Sequence, residues 1–277
     1  MIHTSAMRIP ALMVAATLLL AGCGLDAARA GAVAEAEVQP LNQANDWLPG
    51  LVAMPDYKAS GLGPVGYPRV VAISSELDPT QEFLASIGLQ AEDFASDIEI
   101  QLIQQGDTLV GKTLDFCGGV FPSEKLRLAR RQVAAVDADG NYLGFSSEAV
   151  QYESAEAAQQ AIDEMIVQKS TCKDGSTFTA DDGIEYTVTF YPAPGPESTI
   201  LVPNKQRIIL HIVAKSELDS TAYLLALQIR GNTLLGLYAS AASDVPFDQE
   251  TLDALFAIVS MGTQRLQAAT PENIGEF

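Results

Sequence analysis

The second half of the chain contains short apolar segments separated by turn residues. Their composition and length predict β-strands over residues 184–191, 207–214, 221–229 and 233–239. Gly231 and Asn232 separate the last two segments, and such a pair between apolar runs is typical of a tight hairpin turn. Strands joined by hairpin turns pair antiparallel, so this half of the chain predicts an antiparallel sheet.

The first half of the chain adds further strand patterns. Residues 97–104 alternate apolar and polar side chains and predict a strand, with residues 108–114 as its partner after a turn. Residues 131–136 and 142–145 flank the turn-rich sequence at 137–141, which predicts a second hairpin. These segments extend the predicted sheet.

Two amphipathic helices accompany the strands. Ser154 is a favourable N-cap, and residues 155–169 place Ala158, Ile162, Met165 and Ile166 on one helical face. Pro246 and Asp248 open a final helix with an apolar stripe formed by Leu252, Leu255, Phe256, Val259 and Leu266. Together these patterns predict an α+β fold, a twisted and mostly antiparallel sheet with amphipathic helices packed on one of its faces.

The amino terminus has the features of an export signal. Arg8 precedes the apolar residues 9–20, and this run is too short to span a bilayer, which needs roughly 20 residues. The sequence Leu-Ala-Gly-Cys that ends at Cys23 resembles a bacterial lipobox. The resemblance implies cleavage before Cys23, a diacylglycerol on its sulfur, and an acyl chain such as palmitate on its amino group. A plain secretory peptide cleaved near Ala21 or Ala30 is the alternative.

These features predict the organisation of the chain. Residues 1–22 form a lipoprotein signal peptide, and residues 23–45, rich in alanine, glycine and glutamate, form a flexible tether. Residues 46–268 form a single domain, and residues 269–277 form a tail. Two or more acyl chains suffice for stable anchoring. We therefore expect a lipid-anchored protein on the extracytoplasmic face of the cell membrane.

The charge limits the partners of this domain. The formal net charge is −19, so the phosphates of nucleic acids and of anionic membranes are repelled. The expected partners are the membrane, through the lipid anchor only, and an unidentified ligand or protein of the cell envelope. No pattern in the sequence calls for a cofactor.

Two cysteines remain besides Cys23. Cys117 and Cys172 form an even pair in an exported chain, which predicts a disulfide. Two buried free thiols are the alternative. One pair of cysteines without further soft ligands does not make a zinc site.

The sequence offers little catalytic chemistry. His211 is the only histidine after the predicted signal peptide, and it lies in an apolar strand without a Gly-x-Ser-x-Gly motif elsewhere to supply a nucleophile. We interpret it as a core or cavity-wall residue and expect no catalytic site. Asp137, Asp139, Asn141 and Glu148 match part of a calcium-loop pattern, but Tyr142 stands where the loop requires glycine. A solvated hairpin turn explains these residues better, so no metal site is predicted.

Four cations cluster within seven residues of this acidic chain. Lys125, Arg127, Arg130 and Arg131 could form an anion-binding patch, with Arg127 and Arg131 facing the same side of a strand or helix. The alternative is intramolecular pairing with acids such as Glu124.

Several motifs resemble actinobacterial lipoproteins and the extracytoplasmic sensor domain of PknH-type mycobacterial kinases. The resemblance covers roughly residues 105–268, and its motifs are the segments 113–118, 122–132, 148–154, 171–172 and 226–232. It implies an α+β fold, a cleft beside the sheet and a sensing or ligand-binding role, and it supports pairing Cys117 with Cys172. The usual second disulfide of that domain is missing, because Ala239 and Ser240 stand where a cysteine is expected.

These observations favour a non-catalytic, membrane-anchored domain that binds or senses a ligand. The alternative is a structural or assembly lipoprotein that contacts another envelope protein.

Overall fold

A computed structural model describes residues 70–71, 77–94, 98–180, 183–193 and 206–269 of the chain. The predicted signal peptide, Cys23, the tether and the C-terminal residues after 269 lie outside the described residues. The start of the predicted domain, near residue 46, lies outside them as well.

The described residues form one antiparallel sheet of nine strands in the order β1-β2-β3-β4-β9-β8-β7-β6-β5. It consists of two meanders, β1 to β4 and β5 to β9, which meet where β4 pairs with β9. The strands are β1 Val70–Val71, β2 Glu99–Ile103, β3 Arg127–Val136, β4 Tyr142–Tyr152, β5 Ser176–Thr179, β6 Glu185–Tyr191, β7 Arg207–Lys215, β8 Ser220–Arg230 and β9 Thr233–Ala242.

Three α-helices pack on this sheet: α1 Pro79–Ile87, α2 Ala155–Thr171 and α3 Gln249–Ala268. Each begins at a side-chain N-cap, because Asp78, Ser154 and Asp248 accept a hydrogen bond from a backbone amide of the first turn. Two short 3₁₀ helices, Ala91–Asp93 and Pro122–Leu126, lie in the connections. The α+β fold with an antiparallel sheet is confirmed, as are both predicted helices and both predicted hairpins.

The prediction that the helices cover one face is wrong. Helices α1 and α3 pack in a hydrophobic core on one face of the sheet, together with Ala149, Leu224 and Leu237. Helix α2 and the segment 113–121 pack in a second core on the other face, with Val150 and Leu227. The central strands are apolar on both sides and require a layer on each face to bury them.

Helix α2 lies on the face opposite α1 and α3, where it connects β4 to β5. It follows β4 near the centre of the sheet and leads to β5 at one edge, and on the way it packs against β9, β8 and β7. Residues 104–126 connect β2 to β3, and their second half, residues 114–126, packs in the same core as α2.

Residues 108–114 do not form the predicted partner strand of β2. They form turns and bends, and β2 pairs with β3 instead. The guanidinium of Arg127 donates hydrogen bonds to the carbonyl oxygens of Leu109 and Gly111, at 3.1 and 2.8 Å. Arg127 therefore satisfies two carbonyl oxygens that, in a strand, would accept hydrogen bonds from the backbone of a neighbouring strand.

The predicted disulfide joins Cys117 to Cys172. Cys172 follows the last turn of α2, so the disulfide ties the carboxyl end of this helix to the connection between β2 and β3. None of the described helices combines the length and the hydropathy needed to span a bilayer.

Candidate functional site

A groove runs along the outer side of α2, beside the segment that carries Cys117. We call it the α2 groove; it is a surface depression of about 450 Å³ that is open to solvent, and it is lined by Val120, Glu156, Gln159, Gln160, Asp163, Glu164, Val167 and Gln168. The helical residues recur at intervals of three and four, so they form one stripe along the helix. The stripe lies opposite the apolar face that packs on the sheet.

Three contacts hold the wall of the groove against α2. The disulfide fixes Cys117, and the side-chain amide of Gln168 donates a hydrogen bond to the Cys117 carbonyl oxygen at 3.1 Å. The hydroxyl and the backbone amide of Ser123 both donate to the Glu164 carboxylate, at 2.6 and 3.1 Å. Because Ser123 is fully buried, this contact fixes the 3₁₀ helix to the middle of α2.

The lining of the groove presents hydrogen-bond acceptors. It contains three carboxylates, three amides and two valines, and its described lining holds no cation. The amide nitrogen of Gln160 donates to Glu164 at 2.7 Å, as that of Gln168 does to Cys117, which leaves both side-chain carbonyl oxygens as acceptors. Lys169, the one lysine of α2, lies over the ring of Phe190 instead, 3.5 Å from its centroid.

The four predicted cations do not form one exposed patch. Lys125 is exposed, whereas Arg127, Arg130 and Arg131 are all buried. The register of β3 is irregular between Arg127 and Ala129, so Arg127 pairs with Tyr152 on the α2 face. Arg131 pairs with Ala149 on the opposite face. The prediction that Arg127 and Arg131 share a side is therefore wrong, because an irregularity shifts the alternation of side chains by one residue.

Arg127 is paired within the protein. Its guanidinium lies 3.0 Å from the Glu124 carboxylate and also bonds to the hydroxyl of Thr113. The carboxylate in turn accepts hydrogen bonds from the backbone amides of Thr113 and Leu114. Burial nevertheless raises the pKa of Glu124, since it outweighs these hydrogen bonds and the nearby arginine.

A second buried network is centred on Glu148 in β4. Its carboxylate pairs with the guanidinium of Arg130 and accepts hydrogen bonds from the hydroxyls of Thr113, at 2.7 Å, and Tyr238, at 3.2 Å. Burial and the charge of Glu148 raise the pKa of Tyr238, which keeps its hydroxyl protonated as a donor. The network links β3, β4 and β9 to the connection that carries Cys117.

Gly236 makes room for the Tyr238 side chain. A Cβ atom built on Gly236 would lie 2.6 Å from the Tyr238 hydroxyl oxygen and 2.9 Å from its ring. Gly236 is directly opposite Glu148 in the sheet, so its missing side chain lets the phenol reach the carboxylate.

Arg131 lies on the other face of the sheet. It points toward α1, where its guanidinium is 3.4 Å from the side-chain oxygen of Gln81. Burial lowers the pKa of Arg131, against the opposing effect of Asp107. The three buried arginines thus serve different parts of the fold.

His211 is a buried structural residue. Its Nδ1 lies 3.1 Å from the Pro192 carbonyl oxygen, and its Nε2 accepts a hydrogen bond from the Phe247 amide at 3.1 Å. These partners require a neutral ring with the proton on Nδ1. Burial lowers the pKa of His211, and the rings of Tyr191 and Phe247 pack against it. Both nitrogens are engaged in holding β6 and the start of α3 to β7.

The acids at 137–141 form a hairpin turn. The Asp137 carboxylate accepts hydrogen bonds from the backbone amides of Asp139 and Asn141 and from the Asn141 side chain. These bonds lower the pKa of Asp137. Within the described ranges, no group of three or more histidine, cysteine or acidic residues is arranged to hold a metal ion.

The groove residues were not singled out from the sequence. The signal available was the polar stripe of α2, opposite the predicted apolar face. Such a stripe is found on any solvent-facing helix, and only the folded position of Val120 turns it into a groove.

A distant likeness to a solved structure is found, but no likeness in sequence. No protein-family model matches it, and no curated protein matches it in sequence. The extracellular domain of PknH from Mycobacterium tuberculosis is similar with a TM-score of 0.41 and 13% sequence identity, over 71% of this chain and 98% of that chain.

Proposed function

We propose that this chain is an extracytoplasmic, lipid-anchored protein whose domain binds a ligand or partner of the cell envelope without catalysis. The observation that carries this proposal is the α2 groove. Its volume is about 450 Å³, and because the groove is open to solvent it suits a ligand or partner segment that is only partly buried. The disulfide that holds the wall of the groove suits an oxidising compartment outside the cytoplasm.

A structural or assembly role is the second candidate. Val120 and Val167 both line the groove, and they are 88% and 62% exposed. Large apolar side chains this exposed beside a concave surface favour a protein partner that would cover them.

The groove is tested by filling it. Val167→Trp places a large ring in the groove without removing a hydrogen bond, and Leu218→Trp makes the same kind of change at another exposed position, in the turn between β7 and β8. Native mass spectrometry of protein isolated from its own envelope should show a retained ligand in the wild type and in Leu218→Trp but not in Val167→Trp. Bare protein in all three, or equal retention in both variants, would contradict the proposal.

The anchor is tested separately by Cys23→Ala. We expect this variant to leave the detergent phase for the aqueous phase or to remain unprocessed, because no thiol is left to carry the diacylglycerol. Cys117→Ala makes the same substitution outside the lipobox and should still partition into detergent. Unchanged detergent partitioning of Cys23→Ala would refute the anchor.

A further inference from the structure

The α2 groove combines a charged part with an apolar part. Glu156 lies in the first turn of α2 and Asp163 in its middle. Val167 lies about one turn beyond Asp163 and lines the groove together with Val120. From Glu156 to Gln168 the stripe extends about 18 Å at 1.5 Å per residue. A ligand that fills the groove is therefore elongated and differs in chemistry between its two ends.

Two carboxylates of the lining can accept further hydrogen bonds from a ligand. Glu164 is engaged by Ser123 and by Gln160. Glu156 is exposed at the first turn of the helix, where the Ser154 hydroxyl and its own backbone amide take up part of its carboxylate. Asp163 accepts one hydrogen bond, from Gln159 at 3.1 Å, and a carboxylate has room for several more. Glu156 and Asp163 are separated by about 10 Å along the helix axis. A ligand with two cationic groups at a similar separation would pair with both carboxylates.

The remaining polar groups of the lining support the same class of ligand. The free carbonyl oxygens of Gln160 and Gln168 are acceptors, and ammonium and guanidinium groups are donors without acceptor sites. An anionic ligand would meet carboxylates and carbonyl oxygens with no cation in the described lining to offset them.

We infer that the α2 groove binds an extended basic segment of a partner protein, an inference that rests on the function proposed above. Lysine or arginine side chains of the segment face Glu156 and Asp163, and an apolar side chain covers Val120 and Val167. A stretch of about 18 Å accommodates five or six extended residues at about 3.3 Å each. A free linear polyamine supplies the charges but lacks a branched apolar group for the two valines.

The probe is a capped hexapeptide with lysines at positions 1 and 4, about 10 Å apart in an extended chain, alanines between them, and leucines at positions 5 and 6. Isothermal titration measures its binding to the full-length protein in detergent at about 0.1 M salt, where the Debye length is about 10 Å. We expect Glu156→Lys together with Asp163→Lys to weaken binding about tenfold or more, since two attractive contacts become repulsive. The neutral pair Glu156→Gln with Asp163→Asn should weaken it less, and it tests the same contacts if the charge reversal disturbs folding.

Helix α3 provides a matched control. Glu250 is the second residue of α3, as Glu156 is of α2, and Asp253 accepts a hydrogen bond from Gln249 four residues earlier, as Asp163 does from Gln159. Glu250→Lys with Asp253→Lys changes the net charge equally on the opposite face of the sheet. We expect it to change peptide affinity less than about twofold, because exposed charges beyond a Debye length are screened.

Four results would overturn the inference. The first two are equal weakening by the charge-reversed variants of α2 and α3, and no heat of binding with the peptide at millimolar concentration. The other two are spermidine binding as tightly as the peptide, and no loss of affinity when the peptide leucines are changed to alanine. The proposed function is judged by a different readout, the retained ligand in native mass spectrometry. A neutral or anionic ligand lost in Val167→Trp would refute the basic segment and leave the groove as the binding site.

Discussion

Glu148→Leu is expected to lower the free energy of unfolding by about 3–5 kcal/mol, the usual cost of removing one partner from a buried ion pair. Glu148 is 1% exposed and Arg130 is 4% exposed, so the arginine would be left charged in the interior. The hydroxyls of Thr113 and Tyr238 would lose their acceptor at the same time. Urea unfolding monitored by circular dichroism measures the change.

A double-mutant cycle separates the interaction energy of Arg130 and Glu148 from the other effects of each substitution. Arg130→Met combined with Glu148→Leu should cost clearly less than the two single changes added together, because an apolar pair leaves no buried charge. Glu185→Leu, at an exposed position in β6, should change stability by about 0.5 kcal/mol or less. A single Glu148→Leu variant within 1 kcal/mol of the wild type, or full additivity in the cycle, would show that the pair does not hold the fold.

Removal of the disulfide is expected to have an effect of similar size. Cys117 and Cys172 are 55 residues apart, and closing a loop of that length restricts the unfolded chain by about 4 kcal/mol in the chain-entropy model. The double variant Cys117→Ala, Cys172→Ala should lose about that much stability. It should also release the wall of the α2 groove, since the disulfide and the bond from Gln168 to Cys117 hold this wall.

The wild type provides its own control for the disulfide. Its unfolding midpoint in urea should fall when a reductant is added, whereas the midpoint of the double variant should not change. Hydrogen exchange of the amides at 117–121 should be faster in the double variant than in the oxidised wild type. An oxidised wild type no more stable than the reduced one would contradict the expected role of the disulfide.

Local sequence patterns predicted most of the secondary structure correctly. Ser154 and the apolar residues of α2 fix the start of the helix and its buried face, because both depend on contacts within a few residues. The turn at Gly231 and Asn232 likewise joins β8 to β9 as expected. Helix α1 was missed, although Asp78 before Pro79 is a helix-start signal that the sequence does contain.

Long-range contacts decided the parts that were mispredicted. Residues 108–114 were predicted as the partner strand of β2, but Arg127 binds the carbonyl oxygens of Leu109 and Gly111 instead. Arg131 was expected beside Arg127, but an irregularity in β3 places it on the other face. No local pattern signals either event, because both depend on residues that come together only in the fold.

The sequence by itself determined the α+β class, the antiparallel pairing, the even pair Cys117 and Cys172, and the lipobox-like segment that ends at Cys23. The fold class and the pairing follow from residue types at short spacings, which act within a turn of helix or a hairpin, and the other two follow from residue types alone. Only the tertiary structure decided that both faces of the sheet are covered and that the arginines are paired internally. It alone also placed Val120 beside α2 to make a groove, since these features depend on where distant segments cross the sheet.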